Sequence, residues 1–314
     1  MKKEVKHRPL KRKDLDKLKY IHSNRFITPQ LFHSKFYQGK SLDATWQFLR
    51  RLKEMGYLKE KKFGFQGRFV PAVAYLSYHA INELKSLGQI IADRVAEVKI
   101  PASEVDHHLS VISLRIALEK DPYFKSLFWV SDYELNSGID PLLKWKHEAL
   151  TDADKIIRRG EFKPNGVNRP PRIVDGYFRA EIQNGSEEKP SVEGFVLEFE
   201  NSPYSYRRII EIVVKIEALY PKSKKLIVSA SPENSKRINR IIWRFMHLNV
   251  EYRADKRTKK LKPHKVVPFK ERGGNPGLWH FADFNSVINK TFSTSYRKLR
   301  APDEPNKPNK DEVN

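Results

Sequence analysis

Apolar positions recur at helical spacing three times within the first 60 residues. Leu15, Leu18 and Ile21 predict a helix over 13–24. Thr28-Pro29-Gln30 is a start signal, with an N-cap threonine followed by proline at the first helical position, and it opens a short second helix that Gly39-Lys40 ends. A third helix begins at Ser41, carries Ala44, Phe48, Leu49, Leu52 and Met55 as its apolar stripe, and stops at Gly56. The pattern then turns strand-like. Runs over 57–63 and 69–76 flank the turn-rich Gly64-Phe65-Gln66-Gly67-Arg68, and a fourth helix is expected over about 78–87.

Beyond a connector at 89–105, Leu109, Ile112 and Ile116 predict an amphipathic helix over 106–119. A short strand follows at 128–130, and Ser131-Asp132-Tyr133-Glu134 reads as the cap of a short helix. Residues 147–171 are polar and proline-containing, a long mobile loop by composition. Strands are expected at 172–183 and 192–200, joined by a polar turn at 184–190. A helix over 204–220 turns Ile209, Ile212, Val213, Ile216 and Leu219 inward. A buried-type strand at 225–230 and a helix over 232–246 with Ile238, Ile241, Ile242 and Phe245 complete the pattern. Gly273-Gly274-Asn275-Pro276-Gly277 is a turn cluster with no Gly-Lys-Ser/Thr after it, so it is no phosphate loop. The tail 301–314 is expected to be disordered.

Composition narrows the function. The 314 residues hold 60 Lys and Arg against 38 Asp and Glu, a formal net charge of +22. Such an excess favours a polyanionic partner, nucleic acid before an anionic membrane surface. Residues 1–100 carry 22 of the basic and 9 of the acidic side chains, so more than half of the excess lies in the first third. With no cysteine, disulfides, thiolate catalysis and Cys-based zinc sites are excluded. No apolar run reaches the roughly 20 residues of a membrane span. The basic start lacks the apolar core of a signal peptide, so a cytoplasmic protein without a membrane partner is the expectation.

The N-terminal order of three helices and a β-hairpin predicts a winged helix-turn-helix over 1–88. Its third helix offers Thr45, Gln47, Arg50 and Arg51 on the face away from the apolar stripe, side chains suited to base edges and phosphates. Lys61, Lys62 and Arg68 on the hairpin suit the flanking backbone of double-stranded DNA. The competing reading is a helical packing module with a solvated basic face. Trp46 has no assigned face. The segment from Arg253 to Lys265 holds seven Lys/Arg and one acid, Asp255, and reads equally as a solvated loop or as a second phosphate contact.

The candidate chemistry lies further on. Asp175 in Ile173-Val174-Asp175-Gly176-Tyr177 and Glu198-Phe199-Glu200 sit on strands expected to be adjacent, and period-two alternation puts Glu198 and Glu200 on one face. Three converging carboxylates would hold Mg²⁺ or Mn²⁺ against a phosphodiester, with Glu200 as third ligand or water-orienting base. The alternative is solvated or salt-bridged acids, Arg207 and Arg208 being the nearby partners of Glu200. His107 and His108 read first as capping or core histidines.

The order helix, strand, strand, strand, helix, strand over 106–300 resembles the α-β-β-β-α-β core of the PD-(D/E)xK restriction-endonuclease-like superfamily. The fold class is therefore α/β (α+β overall). The superfamily's lysine position holds Glu200 here. From about Lys13 to Arg240 the chain resembles the replication-relaxation family of plasmids and mobile elements. That resemblance rests on the winged helix, His107-His108-Leu109, Val174-Asp175-Gly176, Phe195 to Glu200, Lys215, Tyr220 and the strand at Leu226 to Ser229. It implies a DNA-binding protein controlling replication or transfer, with replication or mobilisation proteins as partners and a nuclease-like domain. Lys215 matches a basic position of the family's pattern and would supply the missing amine. The alternative it leaves open is a metal-dependent endonuclease targeted by the winged helix. Oligomeric state stays open, a dimer included.

Overall fold

The computed structural model describes residues 10–65, 68–69, 72–90, 101–132, 174–182, 191–247, 250–254, 261–265, 275–291 and 297–298. Residues 91–100 of the predicted connector, the loop at 147–171, the turn at 184–190 and the tail lie outside these. The fold is mixed α/β, and two compact units divide it: Met1–Ala117 with Val130–Pro141, and Leu118–Trp129 with Leu142–Asn314.

Unit 1 opens with α1 (Arg12–Ser23), α2 (Pro29–Phe36) and α3 (Leu42–Glu54). Thr28 caps α2 as its sequence predicts, its hydroxyl accepting the Leu31 amide at 3.3 Å. Gly56 ends α3 in the left-handed region, φ +77, where a side chain would be strained. Next come β1 (Leu58–Lys61), the two-residue β2 (Gly64–Phe65) and β3 (Arg68–Phe69), then β4 (Val73–Leu76) and α4 (Tyr78–Ser86). β1 and β4 pair antiparallel, and an isolated bridge from Ile27 to Ala74 adds the segment before α2 to the outer side of β4. Leu18, Ile21, Phe32, Phe48, Leu52, Leu76 and Leu84 fill the core between these elements.

The helix α5 (Ala102–Lys120) is longer than its sequence pattern predicts, and up to Ala117 it belongs to unit 1 rather than to the C-terminal domain expected from residue 106. Its apolar stripe explains this. Ile112 and Ile116 join the core of Leu18 and Phe32, and Val105 packs with Phe26, Phe63 and Val73. A polar pin adds to it: the buried Arg115 guanidinium donates to Ser23 Oγ at 2.7 Å and Asn24 Oδ1 at 3.0 Å and lies 4.3 Å over the Tyr20 ring.

Unit 2 is built on one six-stranded sheet. Its strands are β5 (Phe124–Ser131), β6 (Gly176–Ile182), β7 (Ser191–Glu200), β8 (Lys224–Ser229), β11 (Trp279–Asp283) and the short β12 (Arg297–Lys298), in the order β12-β11-β8-β7-β6-β5. β6 and β7 are antiparallel, whereas β7, β8 and β11 are parallel. Parallel neighbours need a crossover. Helix α6 (Tyr206–Leu219) makes the first and α7 (Pro232–His247) begins the second. Between α7 and β11 lie β9 (Val250–Ala254) and β10 (Leu261–Lys265), an antiparallel hairpin where the basic segment reads as a loop from sequence. A short α8 (Phe284–Asn289) follows β11.

Aromatic rings register β5, β6 and β7 on one face. Phe178 sits opposite Phe195 with ring centroids 4.7 Å apart, Trp129 stacks on Phe178 at 5.6 Å, and Phe124 meets both edge-on. The glycine of Val174-Asp175-Gly176 is set by this packing. A Cβ there would lie 2.3 Å from the Trp129 indole, inside any tolerable contact. On the opposite face Tyr177 stacks on Tyr220 at 5.6 Å.

Candidate functional site

In unit 1 the amphipathic phase of α3 decides which residues face solvent. Phe48, Leu49 and Leu52 point into the core, and Thr45 shares their side at i+3, i+4 and i+7 spacing. Thr45 is accordingly fully buried, its hydroxyl 3.0 Å from His33 Nδ1. This corrects the expectation that it lies on the reading face. Arg51 is also committed, its guanidinium 3.2 Å from the buried Asp14 carboxylate and 5.1 Å over Phe48, so it ties α3 to α1.

Gln47 and Arg50 do stand on the open face. The Gln47 amide donates to Asp43 Oδ2 one turn back, while Arg50 has no ion pair among the described residues. Trp46, without an assignment from sequence, is 44 % exposed on the flank beside Arg50. Lys59 and Lys62 on the hairpin are exposed, and half-buried Lys61 sits 5.0 Å over the Phe63 ring. Arg68 lies on β3 by its backbone, and its side chain is outside what is described. The surface thus presents an amide, a guanidinium and lysines on two adjacent elements, groups that match base edges and phosphates.

In unit 2 Asp175 lies one residue before the first β6–β7 pair, Gly176 opposite Leu197. Its amide donates to Leu197 O at 3.1 Å and its Oδ2 accepts the Phe199 amide at 2.7 Å. Asp175 therefore clasps the backbone on both sides of Glu198, through its own amide on one side and its buried carboxylate on the other. Glu198 itself is half-buried, and Lys215 of α6 lies within its electrostatic reach. Burial, then Arg208, pulls the Lys215 ammonium below its ordinary range, and Glu211 and Glu198 oppose the shift. Glu198 and Lys215 are thus within electrostatic reach of each other, and Asp175 holds the β7 backbone on either side of Glu198.

Glu200 goes elsewhere. Only 1 % exposed, it accepts the Tyr204 amide through Oε1 at 2.7 Å, and it sits across the β7–β8 ladder from Ser229. Burial raises its carboxyl above the ordinary range, opposed by the Tyr204 amide, the Arg237 guanidinium and the Ser229 hydroxyl. Arg237 of α7 donates to Tyr204 O at 2.5 Å, whereas Arg207 pairs with Glu211 at 3.0 Å. The arginine beside Glu200 is therefore a distant one in sequence, and neither Arg207 nor spacing along α6 reveals it.

The three-carboxylate centre expected from sequence does not form. Among the described residues no group of three or more His, Asp or Glu side chains is placed to hold a metal ion. The residues present do not fit a three-carboxylate Mg²⁺ or Mn²⁺ site: Asp175 and Glu200 each turn one oxygen to a different backbone amide, of Phe199 and of Tyr204, and the three acids are not gathered round one point. His107 is buried on α5 in unit 1, its ring 5.9 Å from that of His108. Among the described residues no helix is long and apolar enough to cross a membrane. No family model, curated protein or solved structure matches the chain.

Proposed function

We propose that this chain is a sequence-preferring DNA-binding protein whose unit 1 is a winged helix-turn-helix. In this reading α3 enters the major groove and the β1–β4 hairpin lies on the flanking backbone. The observation that carries it is the outward pair Gln47 and Arg50 on α3, beside Lys59, Lys61 and Lys62 on the next element. The order of three helices and hairpin supports it, as does the third strand-like bridge at Ile27. So does the concentration of net positive charge in the first third of the chain. The resemblance to replication-relaxation proteins adds a setting: control of replication or transfer of a plasmid or other mobile element, with replication or mobilisation proteins as partners.

Arg50→Ala is expected to weaken binding to the preferred duplex by about 1–3 kcal/mol, and Lys62→Ala to lower the salt slope by about 1 without changing preference. Fluorescence anisotropy with element-derived DNA at several salt concentrations reads both. Absence of binding at moderate salt, or an Arg50→Ala protein as tight as wild type, would sink the proposal.

A second reading, an endonuclease with a PD-(D/E)xK-like unit 2, is favoured by one observation, the placing of Lys215 beside Glu198. The strand order β5-β6-β7-β8 with α6 between the last two suits that fold. Against it stand the missing third carboxylate and the packing of α5 in unit 1. Nicking of supercoiled plasmid in Mg²⁺ or Mn²⁺, lost in both Glu198→Gln and Lys215→Met, is the result this reading expects. An inert wild-type protein that still binds DNA ends it.

A further inference from the structure

We infer that the cleft between α3 and the β1–β4 hairpin receives one unpaired nucleobase of the bound DNA, stacked on Trp46. The inference rests on the DNA-binding reading of unit 1. The cleft measures about 230 Å³. Its floor is apolar, from Pro29, Leu49, Leu58 and Ala74, and Trp46 forms one wall. Arg50 and Lys59 line it as cations, and a third, Lys53, is already paired with Glu60 on the same rim.

Three features select a base over a bare phosphate or an apolar peptide. Trp46 has no ring partner among the described residues, unlike Phe32, Phe36, Tyr37 and Phe48, which pack on one another. It is exposed on a helix whose remaining large apolar residues, the terminal Leu42 aside, turn inward. Charge complementarity then fixes the rest of the ligand. An apolar floor with an aromatic wall suits the face of a base, and Arg50 and Lys59 at the edge suit the phosphate attached to it. A base held in a B-form stack shows only its edge, so the occupant must be unpaired: a bulge, an overhang or a locally opened position. Arg50 would then serve two neighbours, a base edge in the groove and the strand that leaves it.

The test compares three probes of one sequence by anisotropy with the full chain: a fully paired duplex, the same duplex with a single-nucleotide bulge, and the single strand. Wild type is expected to bind the bulged probe roughly 5- to 150-fold more tightly than the paired one, the range of one base stacked on an aromatic ring. Trp46→Phe should keep most of that preference. Trp46→Leu, which retains apolar bulk and removes the π face, should lose it while leaving affinity for the paired duplex unchanged. Far-UV circular dichroism confirms that each variant is folded, as expected for an exposed position. Equal wild-type affinity for paired and bulged probes, or a preference unmoved in Trp46→Leu, overturns the inference and leaves the DNA-binding reading standing. Failure of wild type to bind any of the three brings down both.

Discussion

Replacing Lys225 by methionine lowers the unfolding free energy of unit 2 by roughly 3–5 kcal/mol, the cost of leaving one charge of a buried pair without its partner. Lys225 is fully buried on β8, with Nζ 3.3 Å from Glu217 Oε1 on α6 and 3.2 Å from Pro221 O. Glu217 also accepts the indole N–H of Trp279 on β11 at 2.5 Å. One carboxylate therefore joins α6 to two strands of the sheet. Burial pushes the Glu217 carboxyl up and the Lys225 ammonium down, and each charge opposes the other's shift. Urea denaturation of the full chain, followed by tryptophan fluorescence, measures the loss. Adding Glu217→Gln to Lys225→Met should recover most of it. The amide oxygen still accepts from Trp279, and no unpaired charge remains. A loss below about 1 kcal/mol in the single variant would mean that the pair is not desolvated as described.

Acidification is expected to weaken unit 1 through His22. This histidine is buried near the end of α1, and burial, then the positive charge of Lys85, lowers its pKa from 6.5 to about 4. The folded value lies below the unfolded one. The stability contributed by neutral His22 is therefore fully present above pH 6.5 and is lost as pH falls through about 4. The shift corresponds to about 3 kcal/mol across that window. A histidine NMR titration should show one imidazole with a midpoint near 4. Denaturation at pH 7 and at pH 4.5 should show a smaller acid penalty in His22→Gln than in wild type. A midpoint near 6.5 for every histidine would refute the buried, neutral state.

The N-terminal elements were readable because their signals are local. Thr28-Pro29 and Gly56 mark helix ends by side-chain and backbone chemistry that needs no distant partner, and the stripe of Phe48, Leu49 and Leu52 sets the core side of α3. Local signals mislead where a small rotation or a distant residue decides. Thr45 belongs outward by residue type, yet its position on the helix puts it with Phe48 and Leu52, and the His33 ring lies within hydrogen-bond distance of its hydroxyl. Glu198 and Glu200 share a strand face, but Glu200 sits two residues further along β7, where the Tyr204 amide and Arg237 claim it.

Sequence by itself therefore determined the helices from α1 to α7 and most strands, the basic bias of the first third, and the short set of residues able to carry chemistry. Those depend on side-chain periodicity and residue type. Tertiary structure alone decided that α5 closes unit 1, because an apolar stripe does not name the core it joins. It also decided that the 253–265 region bears a hairpin, that β11 enters the sheet beside β8, and that Lys215 rather than Glu200 accompanies Glu198. Strand pairing and charge pairing are made by residues far apart in the chain, and only the packed sheet and its covering helices bring them together.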